Sequence, residues 1–311
     1  MSGASGGADP RAVLRIVCGP TGAGKSALAL TLAEAQGLII LSADSRQVYR
    51  GFDIGTAKPT AADRARVPHA GLDLVDPVTR YSAAAWATEA SAVIRRHGAD
   101  RVLIVGGTGL YIRALTQPLF EEPPIDPARR AALAAELDAL DTGTLRRWVM
   151  HLDASRAGLG RTQLLRALEM ALLTGRRISE LHRDAARAAE WRARWLVVDP
   201  GEQLQARIER RIGEMLDAGW LAEVGALAAA VPDEAPAWNA CGYAALRAVV
   251  RGERTLAEAR RAILVSTRQY AKRQRTWFRH QLSGEAVTHI DPRRGEAHDA
   301  ASRWWHEGRS A

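Results

Sequence analysis

The sequence has little of what disulfide-framed or metal-bound domains rely on. Its two cysteines, Cys18 and Cys241, cannot make a metal site and give no disulfide framework. A reducing, cytoplasmic compartment is the natural reading. No apolar run approaches the roughly 18 residues of a membrane span, so no membrane association is expected. The first ten residues lack the charged-then-apolar layout of a secretory signal, and 1–10 read as a flexible lead-in. No internal repeat is evident. Positive charge is in surplus: 43 Lys and Arg against 35 Asp and Glu, a net +8. That favours polyanionic partners, although net charge alone is a weak signal. A content of 47% hydrophobic and 25% charged residues over 311 positions can fill a sizeable core. The length suggests about two domains, or one α/β domain with an insertion.

Short β-like runs alternate with helical ones. Residues 12–18, 38–42, 101–106 and 195–199 are apolar on both faces, as buried parallel strands are. Helical patterns follow the first three, from Ser26, Tyr81 and Leu110. The expected class is therefore α/β, a parallel sheet flanked by helices. The gap between the third and fourth strands exceeds one crossover helix. Residues 118–127 are rich in proline and acid (Glu121-Glu122-Pro123-Pro124) and mark a boundary. Helical stretches follow at 128–140, 144–152 and 162–173. We therefore expect a core from 11–117 and 191–282, a helical insertion over 118–190, and a loosely held tail over 283–311.

Gly19-Pro20-Thr21-Gly22-Ala23-Gly24-Lys25-Ser26 fits G-x-x-x-x-G-K-[ST] in full, between a strand and a helix. Loops of this kind occur in ATP- and other nucleotide-binding proteins. The glycines let backbone N–H groups turn around a polyphosphate, Lys25 adds a charge, and Ser26 offers a hydroxyl to Mg²⁺. The motif predicts a bound di- or triphosphate and does not by itself predict phosphate transfer. Asp44 closes the second strand on the ligand-facing edge of the sheet. It could bind Mg²⁺, act as a general base or cap the loop. Gly106-Gly107-Thr108-Gly109 ends the third strand on the same edge, where Thr108 can donate a hydrogen bond. Arg207 and Arg211 share a helix face suited to phosphate, or to a solvated face paired with Glu209. In residues 267–279, Arg268, Lys272, Arg275 and Arg279 form a cationic stripe with no acid within the segment. Tyr270, Gln274 and Trp277 run beside it. Such a face suits a phosphate backbone and stacked bases, or is simply a basic solvated helix.

Together these pieces resemble the tRNA dimethylallyltransferase (isopentenyltransferase) family, whose nucleotide-loop fold the class above matches. The resemblance is carried by Gly19–Ser26, by residues 44–51 (DSRQVYRG) and 53–59 (DIGTAKP), and by Pro68-His69. It continues through residues 105–111, 166–169 (RALE), Gly242-Tyr243 and 267–279 (TRQYAKRQRTWFR), and spans about 13–280. It implies transfer of a dimethylallyl group from dimethylallyl diphosphate to N6 of the adenosine just 3′ of the anticodon, in tRNAs that read codons starting with U. On this reading Gly19, Pro20, Thr21, Gly22, Ala23, Gly24, Lys25 and Ser26 hold the leaving diphosphate, with Mg²⁺ near Ser26. Asp44 is then the general base, and Thr108 and Arg211 stabilise the leaving group. Arg211 is preferred to Arg207 because it matches the second arginine of the family's R-x-x-x-R. The resemblance places tRNA contacts at Asp44, Ser45, Arg46 and Gln47, at Thr108 and Arg130, and at Thr162, Gln163, Leu164, Leu165 and Arg166. Further contacts are implied at Gly242, Tyr243, Lys272, Arg273, Arg275, Trp277 and Arg279. The target base must be turned out of its loop to reach Asp44.

One segment departs from the family pattern. Gln163 stands where an arginine is usual and the preceding acid is absent, with Arg161 as a positional substitute. Two rival activities share the phosphate loop: a small-molecule kinase, and an adenylate isopentenyltransferase acting on free nucleotide. An RNA-binding protein without activity is a third. The helical insertion and the basic 267–279 segment favour a tRNA-sized acceptor. A monomer is expected, because nothing in the pattern suggests an obligate apolar interface.

Overall fold

The computed structural model describes residues 12–117, 123–184, 190–282, 284 and 286–307. The chain enters through β1 (Val13–Cys18), α1 (Lys25–Gln36), β2 (Ile39–Ala43), α2 (Ala61–Arg66) and the two-residue β3 (His69–Ala70). It continues through α3 (Ala83–His97), β4 (Val102–Gly106) and α4 (Gly109–Thr116). A set of helices follows: α5 (Pro127–Asp138), α6 (Thr142–Leu152), α7 (Arg161–Thr174) and α8 (Ile178–Asp184). The chain then forms β5 (Arg192–Val198), α9 (Leu204–Asp217), α10 (Trp220–Ala230), α11 (Tyr243–Val250), α12 (Leu256–Gln281), β6 (Val287–Ile290) and α13 (Ala297–His306).

The six strands form one parallel sheet in the order β3-β2-β4-β1-β5-β6. The expected α/β class is what the chain adopts. Central strands β1 and β4 are buried along almost their whole length, because helices must cover both faces of a parallel sheet. The register sets Cys18 beside Gly106 and Ala43 beside Gly106 on the other side, so β1, β4 and β2 end level. Their carboxyl ends therefore deliver three loops to one edge.

Contacts divide the chain into two compact units, Met1–Thr116 with Glu190–Ala311, and Gln117–Ala189. The second has its own core, in which Leu137 of α5, Leu145 and Val149 of α6, and Leu164 and Leu168 of α7 pack together. Asp126 caps α5 by accepting from Ala128 N–H at 2.7 Å, with Pro127 at the first helical position.

The expectation of a loose tail over 283–311 is corrected for residues 286–307, while 308–311 lie outside the described residues. β6 adds to the sheet edge, pairing Trp195 with Val287 through Val198 with Ile290. α13 packs on α1 and buries Trp304 and Trp305. Shortness hid both elements, since β6 is a four-residue edge strand and α13 a helix of 10 residues. The partner they find is remote in sequence: Arg15, buried within β1, donates to Glu307 O at 3.2 Å and lies 5.0 Å from the Trp305 ring. The flexible lead-in expected over 1–10 lies outside the described residues.

Candidate active site

The phosphate loop leaves β1 through Gly19, whose φ of +139° and position 2.2 Å from Val198 O leave no room for a Cβ. Pro20, Gly22 and Ala23 are buried, while Thr21, Lys25 and Ser26 line a cavity of about 560 Å³. Lys25 is the first residue of α1 and donates from Nζ to Pro20 O at 2.8 Å. Burial pushes its ammonium down to about 8; Arg211 adds to the shift, and Asp44 and Cys18 oppose it. Burial also lowers Arg211, against the pull of Asp44 and Glu214. Two partly desolvated cations at a helix N-terminus make a site short of negative charge, which a diphosphate supplies.

The two arginines of α9 separate cleanly. Arg207 turns to the back of the loop and donates from Nε to Gly22 O at 3.0 Å. Arg211, one turn on, lines the cavity. Neither makes the solvated pair with Glu209, which instead lies 3.7 Å from Arg268.

Asp44 follows β2 and lines the cavity. Its Oδ1 accepts from Arg46 N–H at 2.8 Å, so loop capping takes one oxygen. Among the described residues no hydrogen bond reaches Oδ2, which leaves it able to accept a proton. Thr108 does not line the cavity. Its Oγ1 accepts from Ser45 N–H at 3.0 Å and its own N–H donates to Ala43 O at 3.2 Å. It therefore braces the loop that carries Asp44 from both sides. Gln47 is likewise committed: it accepts from Ser42 Oγ at 2.8 Å and donates to Ala57 O at 3.0 Å. Arg46 faces the cavity. Part of the remaining wall is apolar, with Leu30, Ile40, Ile208, Ile212, Met215 and Ile263, and part is polar, with Lys58, His69, Asn239, Tyr270 and Arg273. One cavity thus joins an anion site, a carboxylate and an apolar wall, the three needs of an alkyl diphosphate donor meeting a weakly nucleophilic acceptor.

A family model described as IPP transferase matches residues 47–281. The chain belongs to the IPP transferase family. A second model, described as isopentenyl transferase, matches residues 12–70. The chain is 45% identical over 275 residues to a tRNA dimethylallyltransferase of Gloeobacter violaceus, covering 85% of this chain and 88% of that one. It is 40% identical over 295 residues to a tRNA dimethylallyltransferase of Deinococcus radiodurans, covering 92% and 95%. Among solved structures it resembles a full-length tRNA isopentenylpyrophosphate transferase of Bacillus halodurans, with TM-score 0.65 and 29% identity over 96% of this chain and 97% of that one. A eukaryotic dimethylallyltransferase acting on tRNA shares the fold, with TM-score 0.76 at 22% identity over 94% of this chain and 77% of that one.

Several contacts implied by likeness to the IPP transferase family lie differently in the structure. On α12, Lys272, Arg273 and Arg279 are exposed. Arg275 instead donates from Nε to Asp199 Oδ2 at 2.8 Å and pairs a second time through its terminal nitrogen, so the stripe is not free of acid. The neutralising carboxylate comes from the end of β5, invisible within the segment. Trp277 is half-buried against Gly109, where a Cβ would come within 2.4 Å of its ring. Tyr243 is buried; its hydroxyl donates to Glu223 at 2.6 Å and its ring meets Phe52 at 4.8 Å. It cannot reach RNA, and the adjacent Gly242 is required because Trp220 lies 2.3 Å from where its Cβ would be. In the inserted unit, Leu164 is fully buried core, and Leu165 is half-buried against the same cluster. Thr162 and Gln163 are exposed at the start of α7, and Gln163 accepts from Gly160 N–H at 3.3 Å. Arg130 and Arg166 both pair with Glu169. Arg161 does not substitute for the missing arginine, since it is tied to Asp138 at 3.0 Å and to Leu140 O at 2.6 Å.

Glu223 was not singled out from sequence. It accepts from Asp53 N–H at 3.1 Å and Ile54 N–H at 2.7 Å, fixing the loop that brings Gly55 to Lys58 to the cavity. No local pattern signals a contact across some 170 positions.

Proposed function

We propose that this chain transfers the dimethylallyl group of dimethylallyl diphosphate to N6 of the adenosine 3′-adjacent to the anticodon, in tRNAs that read codons starting with U. The observation that carries this reading is the single cavity joining Lys25 and Arg211, the Asp44 carboxylate and an apolar wall. A phosphoryl donor would have no use for that wall, whereas a five-carbon chain fills it. The names of the relatives at 40–45% identity support the same reading.

In this mechanism the phosphate loop and Arg211 hold the diphosphate, and the chain lies along Ile208, Ile212 and Ile263. The adenine N6 attacks the allylic carbon in line with the bridging oxygen. The new N–C bond forms as the C–O bond breaks, Asp44 takes the N6 proton, and diphosphate leaves with the bonding pair. Proton acceptance contributes roughly 10²–10⁴-fold, because the N6 lone pair is delocalised into the ring. Mg²⁺ fits the residues present: Ser26 is exposed to the cavity, and among the described residues no cluster of three or more His, Cys, Asp or Glu could hold a metal alone. Ser26 would hold the ion, which would supply positive charge to offset that on the leaving group. Among the described residues no helix is long and apolar enough to cross a membrane.

The test is transfer of label from radioactive dimethylallyl diphosphate, with Mg²⁺, into unmodified tRNA reading UNN codons, with AMP as a parallel acceptor. Label in tRNA alone is expected. Label in AMP alone would make the chain an adenylate isopentenyltransferase, and label in neither would restore the kinase reading.

A further inference from the structure

Gln274 lies in the second half of α12, between exposed Arg273 and ion-paired Arg275, yet its own side chain is buried and reaches the cavity. Its amide oxygen accepts from Thr21 N–H at 2.8 Å. Its amide nitrogen donates to Gly107 O at 2.9 Å. The fit is tight, since a Cβ on Gly107 would come within 2.3 Å of that nitrogen. A primary amide donates and accepts at once without carrying charge, and both halves of the bridge are used.

The two partners belong to different loops. Thr21 is part of the phosphate loop that holds the leaving group. Gly107 follows β4 and adjoins Thr108, whose side chain and backbone hold Ser45 and Ala43 on either side of Asp44. The contacts therefore run from the phosphate loop, through Gln274, Gly107 and Thr108, to the two residues that flank Asp44. The helix turn that carries Gln274 is itself pinned, because Arg275 is clamped to Asp199 and to Gly201 O. Left half-made, a buried bridge of this kind would strand an unsatisfied polar group, so both loops are held in one arrangement.

We infer that Gln274 is a positioning residue for the transfer, fixing the phosphate loop relative to the Asp44 loop so that leaving group, allylic carbon and base stay aligned. The inference rests on the transfer function proposed above. In-line displacement tolerates little error, and a misplacement of about 1 Å costs about a hundredfold in rate.

The test compares the unsubstituted chain with Gln274→Met and Gln274→Glu, using saturating dimethylallyl diphosphate and unmodified tRNA in single turnover. Affinity for tRNA is read separately by filter binding. Methionine keeps the volume and removes both hydrogen bonds, so the rate should fall about a hundredfold while tRNA affinity is unchanged. A protonated glutamic acid has the donor and acceptor of the amide; an ionised one only accepts, and faces the Gly107 carbonyl. The Gln274→Glu rate, relative to the unsubstituted chain, should therefore climb as pH is lowered. That profile carries the test even where Gln274→Met does not fold. Full-rate transfer by Gln274→Met, a loss confined to tRNA affinity, or a pH-independent ratio for Gln274→Glu overturns the inference. Absence of transfer by the unsubstituted chain overturns the function itself, and the inference with it, a result visible without any variant.

Discussion

Lys25 sits where α1 begins, and burial holds its ammonium down to about 8. Its charge is present below that pH and lost above it, so attraction for diphosphate should weaken as pH rises from about 7 to about 9. Calorimetric titration with inorganic diphosphate checks this against Lys25→Arg, which stays charged throughout and cancels the ligand's own titration. Equal pH dependence in the two proteins would remove Lys25 from the anion site. Asp44→Asn keeps the Arg46 cap acceptor but cannot take the N6 proton. Turnover should drop roughly 10²–10⁴-fold with tRNA and diphosphate binding retained, measured in single turnover. A near-normal rate would return Asp44 to loop capping alone. The phosphate loop was legible residue by residue, because its chemistry is local: glycines at positive φ, then lysine and serine at the start of a helix. Asp44 was legible only as a position at a strand end, with three roles open, and the bracing contacts of Thr108 were not legible at all. What decides Thr108 is a hydrogen bond to Ser45, 63 positions away, which no local pattern carries.

Among the elements, β6 and α13 show where pattern reading fails. An edge strand of four residues and a helix of 10 are too short to stand out, while their burial comes from packing on β5 and α1. One sign was present in the sequence: Arg15 interrupts an otherwise apolar central strand, and a buried guanidinium needs partners, here Glu307 O and the Trp305 ring. Trp305→Ala should cost about 3–5 kcal/mol in urea unfolding, as truncation of a buried ring does. A change within experimental error would restore the loose-tail reading. α12 is the converse case. Its helical character and cationic spacing were plain from sequence. The face it turns inward was read as flanking the RNA surface, although Gln274 is buried against the phosphate loop and Trp277 packs on Gly109.

For the molecule as a whole, a net charge of +8 and exposed cations on α12 suit a polyanionic acceptor. Affinity for tRNA should fall steeply with salt, and Arg279→Ala should reduce the slope of log affinity against log salt by about 1. Arg275→Ala should leave that slope unchanged and lower stability instead, by about 1 kcal/mol, since its partly exposed charge is already taken by Asp199. The reverse pattern of slopes would place Arg275 on the RNA. The sequence by itself determined the α/β class, the phosphate loop and the family, because each rests on short-range spacing or contiguous motifs. Tertiary structure alone decided which cations are free and which are spent. It also decided that Tyr243 and Leu164 are core, that Arg211 and not Arg207 faces the cavity, and that the last strand and helix belong to the sheet. These depend on partners tens to hundreds of residues away, and burial and charge pairing are properties of neighbours in space.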